Sequence, residues 1–428
     1  MGIFNKIYEK RKKEEIESSL PSHKKFPKKI VSKRRLTRID LQCNTFETIK
    51  VSPNSKRIAC LAPSGDKWSM VIDGKTGKKY DDLGAAIFSP DSKRVAYGAK
   101  SGNRQFLVLD GEEGKQYDEY SWAVFSPNSK RIASRVKLGN KWLIAVDGNE
   151  GQKYDNVGIP VFSPDSNHLA YIAQLDSKYF IVVDENEGQK YDVVGMPVFN
   201  PTNNQLAHMV NKGDKQFVVV DGNEGRHYDG IEALATLVFS PDGAHLVYGA
   251  TLDNKFFMVV DGTEQKKYDR SSKNDGLVGE LITFSPDSSR ISYGVQLGGK
   301  QFVVVDGNER QNYQLIGKAS LIFSPDSKRF AYAAYLDNSW FAIIDDKVGK
   351  KYLGIVEGIW TFSPDSQRLV YGAGTTNGKA IIVVDDMDGK IQYDAILGQG
   401  GGIIFDSNND FHYLALIGSE IFLIEEQI

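Results

Sequence analysis

The tetrad Phe-Ser-Pro-Asp, or a close variant, recurs along nearly all of this 428-residue chain and constrains its fold more than any other feature. Successive copies are 37, 37, 37, 37, 40, 45, 39 and 39 residues apart, and a tenth copy without proline begins at Phe405. Because a fixed period of about 40 residues is typical of repeat architectures, we expect each copy to be one structural unit. The prolines of the nine complete copies are Pro53, Pro90, Pro127, Pro164, Pro201, Pro241, Pro286, Pro325 and Pro364.

An aspartate at the end of an apolar run marks the same unit a second time. It lies 20 residues after the proline in eight copies and 21 residues after it in the ninth. A tyrosine follows 7 or 8 residues later, from Tyr80 in the first copy to Tyr393 in the ninth. Such constant spacing predicts hairpins of constant length. The aspartates are Asp73, Asp110, Asp147, Asp184, Asp221, Asp261, Asp306, Asp345 and Asp385.

The copy from Ile159 to Asp192 shows how one unit is built. Four short β-forming segments alternate with turns rich in proline, glycine, asparagine and aspartate. The third segment, Tyr179–Val183, is apolar throughout, which is typical of a strand that is buried on both faces. Four antiparallel strands in about 40 residues are typical of a propeller blade, which must stack against its neighbours.

The two ends of the chain predict a closed ring. The tenth copy ends at its third strand, Ile421–Ile424, with four residues left over. The segment Leu36–Leu41 precedes the first copy and could supply the missing fourth strand. We therefore expect one propeller of about ten four-stranded blades over residues 39–428, after a short basic tail, helical or disordered, over residues 1–38. Two five-bladed rings remain an alternative.

The repeated segments FSPDSKRVAYGA and VVVDG resemble the PD-type, WD-like β-propeller repeat. That repeat is known from the Tol-system propeller and from the propeller domains of prolyl oligopeptidase-type peptidases. The resemblance covers roughly residues 39–428 and implies the fold, but it implies little about function, since propellers host many unrelated roles. The chain has no Trp-Asp or Gly-His dipeptide, no secretion-type apolar core near its start and no hydrolase domain.

Composition excludes several protein classes and favours a cytoplasmic location. The chain is 41% hydrophobic and 25% charged, with 53 basic and 55 acidic groups, which excludes a disordered or collagenous protein. No apolar stretch approaches the ~20 residues of a transmembrane helix. Two cysteines, Cys43 and Cys60, cannot form the disulfide framework of a small secreted fold.

The repeat provides an internal test for catalytic residues, because a side chain found in every blade serves the blade. His168 and His245 stand where other copies have arginine, and His208 stands where other copies have tyrosine such as Tyr97. No histidine or cysteine has metal-ligand spacing, and no nucleophile elbow or phosphate loop occurs. We predict no catalytic residue, no metal and no cofactor.

Departures from the repeat mark candidate partner contacts. The connections 228–241 and 268–286 are longer than their equivalents, and loops on a rigid scaffold often carry function. We predict exposed contacts in the longest insertion at Arg270, Lys273 and Asp275, and exposed aromatic anchors at Trp122 and Trp360. Tolerated insertions, and tryptophans that pack between blades, are the structural alternative.

The N-terminal 38 residues are strongly basic, with thirteen Lys or Arg against four Glu, a charge of +9 that leaves −11 on the remainder. Ile3, Phe4, Ile7 and Tyr8 fit one face of a short helix. Such a tail suits nucleic acid, an anionic membrane surface, an acidic protein or the acidic ring itself, or it is simply solvated. Its candidate contacts are Lys24, Lys25, Lys28, Lys29, Lys33, Arg34 and Arg35.

Rigid repetition without a catalytic constellation favours a non-enzymatic scaffold that mediates protein–protein interaction. The alternative is a propeller enzyme or small-ligand-binding protein with its site in the central channel. Residues from several first strands can converge there without any signal in sequence spacing. The partner and the oligomeric state are not encoded in any recognisable motif.

Overall fold

The fold is a β-propeller, seen in a computed structural model that describes residues 29–38, 49–232, 237–398 and 402–428. The regular elements of these residues are all strands, and they form ten separate antiparallel sheets. The predicted all-β fold class is confirmed. Each sheet is one blade whose strands follow one another in space, from a first, innermost strand to a fourth, outermost strand.

The second and third strands form the centre of every blade and carry most of its buried side chains. The second strands are Ile58–Ser64, Val95–Ser101, Ile132–Leu138, Leu169–Leu175, Leu206–Lys212, Leu246–Leu252, Ile291–Leu297, Phe330–Leu336, Leu369–Gly374 and Asp410–Ile417. The third strands are Lys67–Ile72, Arg104–Leu109, Lys141–Val146, Lys178–Val183, Lys215–Val220, Lys255–Val260, Lys300–Val305, Ser339–Ile344, Ala380–Val384 and Glu420–Gln427.

The first strand of most blades is split into two short pieces, and the fourth strand is short. The first strands are Lys50–Val51, Asp82–Leu83 with Ile87–Phe88, Glu119–Phe125, Asn156–Val157 with Val161–Phe162, Val193–Val194 with Val198–Phe199, Gly230–Ile231 with Val238–Phe239, Gly276–Phe284, Leu315–Ile316 with Ile322–Phe323, Gly354–Ile355 with Thr361–Phe362, and Ala395–Leu397 with Ile404–Phe405. The fourth strands are Lys75–Tyr80, Glu112–Glu113, Asn149–Glu150, Asn186–Glu187, Asn223–Glu224, Thr263–Glu264 with Tyr268–Asp269, Asn308–Glu309, Lys347–Val348, Met387–Asp388 and Lys29–Arg38.

The ten blades close into a single ring. Each of ten apolar clusters joins two consecutive blades, so the described core is a series of junctions between sheets. One of them packs Ile49 and Val51 of blade one against Leu414 and Leu423 of blade ten. This last junction decides for one ten-bladed ring and against two five-bladed rings.

The Phe-Ser-Pro-Asp turn recurs because it closes its own hairpin and also joins neighbouring blades. In blade two the Ser89 hydroxyl donates to Asp91 Oδ1 at 2.6 Å and accepts the Arg94 N–H at 2.9 Å. Ser92, with φ of 63°, places its hydroxyl 3.0 Å from the N–H of Asn54 in blade one, which donates to it. The sequence motif is therefore a connection between blades.

The repeated aspartate explains the constant spacing of 20 residues. Asp110 adopts φ of 54°, a left-handed conformation that aspartate tolerates better than most residues. Its Oδ1 accepts the Val95 N–H at 2.9 Å and its Oδ2 accepts Arg94 Nε at 2.9 Å. His168 replaces this arginine in blade four and pairs with Asp184 at 2.6 Å, which confirms its structural role.

The closing strand lies earlier in the chain than the sequence indicated. Lys29–Arg38 runs antiparallel to Glu420–Gln427 and completes blade ten, whereas we expected Leu36–Leu41 there and a tail over residues 1–38. The outermost strand needs only its backbone to pair, so charged side chains are tolerated, as in other edge strands. Lys24, Lys25, Lys28 and the expected helix lie outside the described residues.

The side chains of this strand therefore belong to the ring rather than to a free tail. Lys33 Nζ lies 4.0 Å from the ring centroid of Phe422, and Arg35 pairs with Glu420 at 2.8 Å. Lys33, Arg34 and Arg35 all remain exposed to solvent, so a basic surface persists on blade ten. Lys29 also lies in the strand. The ring thus begins at least ten residues before the predicted boundary at residue 39.

Candidate partner surface and interblade clefts

The two candidate tryptophans occupy different environments. Trp122 lies on the first strand of blade three, beside a bulge between Tyr120 and Trp122, and 55% of its surface is exposed. Trp360 is buried between blades eight and nine and stacks on Tyr371, with ring centroids 4.7 Å apart and an interplanar angle of 11°. The prediction of an exposed anchor at Trp360 is wrong, because its ring fills a junction between blades.

The long insertion of residues 270–279 is folded against the ring. Asp275 is 2% exposed, and its carboxylate accepts the N–H groups of Ser271, Ser272 and Gly298. The Ser271 hydroxyl and these N–H groups lower the pKa of Asp275 to about 2. Asp275 is therefore a structural residue, and the prediction that it is an exposed partner contact is wrong.

The two basic residues of this insertion also differ. Arg270 is half-buried and pairs with Glu232, so its guanidinium holds the insertion to the preceding crossover. Lys273 is exposed, and it stays a predicted contact. The insertion continues directly into Gly276–Phe284, a first strand of nine residues, so its last four residues extend the blade.

Exposed apolar side chains concentrate in the crossover segments, which run from each blade-end tyrosine to the next Phe-Ser-Pro turn. In the described part of the chain, eight large apolar side chains are exposed, and five of them lie in crossover segments. These segments make up about a quarter of a repeat, so the five are more than an even distribution would give. They are Trp122, Val193, Met196, Leu315 and Leu353.

The exposed side chains repeat in position as well as in segment. Trp122 and Met196 are each the fifth residue after a blade-end tyrosine, and Val193 and Leu315 are each the second. Equivalent positions in different blades face the same side of the ring. All five residues lie within five positions of a blade-end tyrosine, and we call the surface they form the crossover face.

A tyrosine on the second strand fills the junction between most neighbouring blades. In blade eight Tyr332 is 2% exposed, and its ring meets Tyr313 of blade seven edge-on at 6.3 Å. Between blades nine and ten the hydroxyls of Tyr393 and Tyr413 lie 2.8 Å apart. We call this residue the junction tyrosine: Tyr97, Tyr171, Tyr248, Tyr293, Tyr332, Tyr371 and Tyr413.

Three blades have another residue at this position: Cys60 in blade one, Ser134 in blade three and His208 in blade five. Ser134 opens a cleft of about 620 Å³ between blades two and three, which we call the Ser134 cleft. His208 borders a matching cleft of about 560 Å³ between blades four and five. Both clefts therefore lie where the junction tyrosine is missing.

Blade three has smaller residues at two more positions that face blade two. Leu143 stands where six other blades have phenylalanine, such as Phe106, and Ala145 stands where the others have valine or isoleucine. The cluster between blades two and three accordingly contains four buried apolar residues, against eight to twelve at the other junctions. Sequence analysis overlooked these residues, although comparing equivalent positions would have found them.

Polar atoms without partners face both clefts. The Tyr117 hydroxyl is buried beside the Ser134 cleft, and His208 Nδ1 is buried beside its own cleft; neither has a hydrogen-bond partner among the described residues. Burial lowers the pKa of His208 to about 4, so the imidazole is neutral at physiological pH. In the same described residues, no three His, Cys, Asp or Glu side chains are placed to hold a metal ion.

A third cavity of about 810 Å³ lies among the first strands of blades one to three. Trp122 and Tyr120 line it, and Tyr120 also lines the Ser134 cleft, so this ring separates the two spaces. A Cβ on Gly98 would lie 2.7 Å from Tyr120 Cδ1, so only glycine leaves room for the ring there. Among the described residues, no helix has the length and apolar character to cross a membrane.

Comparison with known proteins leaves the family of this chain open. No family model matches the sequence, and no curated protein matches it. Among solved structures, one titled "Crystal structure of the eukaryotic initiation factor" matches at 13% identity and a TM-score of 0.46. The match covers 78% of this chain and 96% of the other. So distant a likeness gives no information on what this chain binds.

Proposed function

We propose that this protein is a non-enzymatic scaffold that binds a protein partner through the crossover face. The observation that carries the proposal is that five of the eight large apolar side chains exposed in the described residues lie in the crossover segments. Exposed apolar groups on a rigid surface are typical of interaction sites. Trp122 is the central anchor of this proposal, because it is the largest of the five and tryptophan is enriched among residues that dominate binding energy.

Affinity purification from the native cell, with quantitative mass spectrometry, tests the proposal. The test variant is Trp122→Ser with Met196→Ser, and the matched control is Val348→Ser, since Val348 is equally exposed at 56% but lies on a fourth strand. We expect the test variant to lose specific partners at least tenfold while the control retains them. Retention of every partner by the folded test variant would show that the crossover face does not bind them.

The basic surface of blade ten is a second contact in the same proposal. Lys33 and Arg34 are exposed next to Arg35, and such a group suits phosphate-bearing or acidic partners. Reversal of charge at Lys33 and Arg34 is expected to weaken binding to a nucleic acid, an anionic vesicle or an acidic protein in a salt-dependent way. Equal binding by wild type and variant at low salt would argue against this contact.

The PD-type, WD-like repeat assignment and a cytoplasmic location belong to this proposal too. The hydrogen-bonded Phe-Ser-Pro-Asp turn supports the assignment, because it explains why the motif has those residues. The low cysteine content supports a reducing compartment. Localisation of the tagged full-length chain by microscopy tests the second point directly.

Ligand binding in the centre of the ring is the second candidate function. The cavity of about 810 Å³ among the first strands of blades one to three favours it, since small-molecule sites commonly have volumes of about 300–1,000 Å³. A thermal-shift screen of cell metabolites against wild type and Trp122→Ser distinguishes the two functions. A stabilising compound whose effect requires Trp122 would favour ligand binding over the scaffold role.

A further inference from the structure

The junction between blades two and three has lost volume at three equivalent positions at once. Ser134, Leu143 and Ala145 stand where the other blades mostly have tyrosine, phenylalanine and valine. Blade two has no larger side chains that would fill the space. Leu107 and Leu109, which line the cleft from blade two, are aliphatic residues of ordinary size. The result is a preformed cleft between two rigid sheets.

Tyr120 covers only part of the missing volume. This half-buried ring packs on Gly98 from the side of the central cavity, and its hydroxyl lies near Ser134. A cleft of about 620 Å³ remains beside it. An apolar cavity of about 150 Å³ already holds benzene, so the remaining space is ample for a substituted aromatic ring.

The lining of the cleft selects for a particular chemistry. Ile132, Val136 and Ala145 from blade three give it an aliphatic wall, and the hydroxyl-bearing residues Tyr117 and Ser134 also line it. Tyr117 is 4% exposed, and its hydroxyl has no hydrogen-bond partner in the part of the chain that the structure describes. At other junctions similar tyrosines, such as Tyr154, lie against the ring of a junction tyrosine, here Tyr171. At the junction between blades two and three no such tyrosine ring is present, because Ser134 holds its position.

Five of the seven charged residues that line the cleft have ionic partners within the protein. Arg94 pairs with Asp110 at 2.9 Å, and Lys115 pairs with Glu150. A charged ligand would therefore gain little from these groups and would have to lose its hydration to enter. The cleft favours a neutral occupant.

We propose that the Ser134 cleft binds a small, neutral molecule with a phenol ring, which takes the place of the missing junction tyrosine. The ring lies between the aliphatic walls, and its hydroxyl exchanges hydrogen bonds with Tyr117 and Ser134. This mirrors the contact between the hydroxyls of Tyr393 and Tyr413, 2.8 Å apart at the junction between blades nine and ten. The proposal does not depend on the partner-binding function.

Titration of the full-length protein with p-cresol, the analogue of the tyrosine side chain, tests this site by calorimetry and ligand-observed NMR. The filled variant is Ser134→Tyr with Tyr120→Val, since blade four has Tyr171 and Val157 at these positions. We expect wild type to bind p-cresol saturably, and the filled variant to bind at least tenfold more weakly. His208→Tyr is the matched control, because it fills the other cleft and should leave this binding unchanged.

Hydrogen bonding is tested separately with toluene, which has the same shape but no hydroxyl. Wild type should prefer p-cresol over toluene by about fivefold, which corresponds to one net hydrogen bond. Tyr117→Phe should reduce that preference to less than about twofold. If the filled variant does not fold, as judged by circular dichroism, Ala145→Ile narrows the cleft with a single change and should also weaken binding.

Two results would overturn the proposal. One is the absence of saturable p-cresol binding to folded wild type at millimolar concentration. The other is binding that persists in the folded filled variant, or that is lost in His208→Tyr instead. Partner capture by the crossover face is measured independently, so its outcome does not affect the result at this site.

Discussion

Two junctions of the same propeller differ in how completely they are filled. The junction between blades seven and eight is densely packed, and the junction between blades two and three is open. At the first, Tyr313, Tyr332 and Phe341 pack into a cluster of twelve buried residues. At the second, smaller residues reduce the cluster to four and leave a cleft of about 620 Å³. The second and third strands, the Phe-Ser-Pro turn and the interblade hydrogen bond recur in both.

This difference shows that the Phe-Ser-Pro-Asp turns hold the blades at a fixed spacing even where the apolar filling is missing. In blade three the Ser129 hydroxyl still accepts the Asp91 N–H at 3.0 Å, as Ser327 accepts the Asp287 N–H at 3.1 Å in blade eight. A junction can therefore lose apolar packing and contain a cleft while the propeller keeps its structure.

The largest effect is expected from removal of a junction tyrosine. Tyr332→Ala should lower the free energy of unfolding by about 3–5 kcal/mol, because it removes a fully buried ring and leaves a cavity. Ser134→Ala, at the equivalent position, should cost less than about 1 kcal/mol, since the space around it is already open. Urea unfolding of both variants measures the difference. Equal losses would mean that the Ser134 cleft is not a void in solution.

A comparison of the two tryptophans extends the test to the partner surface. Trp360→Ala should lower the free energy of unfolding by about 3 kcal/mol, because its ring is buried and stacked on Tyr371. Trp122→Ala should change it by less than about 0.5 kcal/mol, as expected for an exposed side chain. Thermal melting of both variants measures this. A strongly destabilised Trp122→Ala protein would show that the indole of Trp122 packs inside the propeller.

Repetition made the blades predictable, because ten copies of the same hairpins average out the ambiguity of any one strand. The closing strand was placed wrongly because an outermost strand pairs through its backbone, and Lys33, Arg34 and Arg35 carry no apolar signal. Burial of Asp275 and Trp360 was also beyond sequence reasoning, since both are departures from the repeat whose packing depends on the neighbouring blade. Ser134 could have been found by comparing equivalent positions, but the volume beside it required the fold.

His208 distinguishes the two incomplete junctions by pH. Burial lowers the pKa of its imidazole to about 4, against about 6.5 in the unfolded chain, so the unfolded state binds the proton first. The stability that depends on neutral His208 is complete above about pH 6.5 and is lost as the pH falls toward 4. A shift of this size corresponds to a loss of up to about 3 kcal/mol.

Urea unfolding of wild type and His208→Tyr between pH 7 and 4 isolates this contribution. The difference between the two free energies of unfolding should grow as the pH falls, because the variant lacks the titrating group. His168→Arg is a useful control, since Asp184 raises the pKa of His168 and its linkage has the opposite sign. A constant difference across this range would show that His208 is hydrated rather than buried.

The smallest effect concerns the contact that separates the Ser134 cleft from the central cavity. Gly98→Ala should lower the free energy of unfolding by about 1–3 kcal/mol, because its Cβ would lie 2.7 Å from Tyr120 Cδ1 in a packed region. Tyr120→Val, which restores the residue of blade four, should rescue the variant by removing the clash. Chemical denaturation of the single and double variants gives the coupling between the two positions. Additive effects would mean that Tyr120 does not rest on Gly98, and the two spaces would then be continuous.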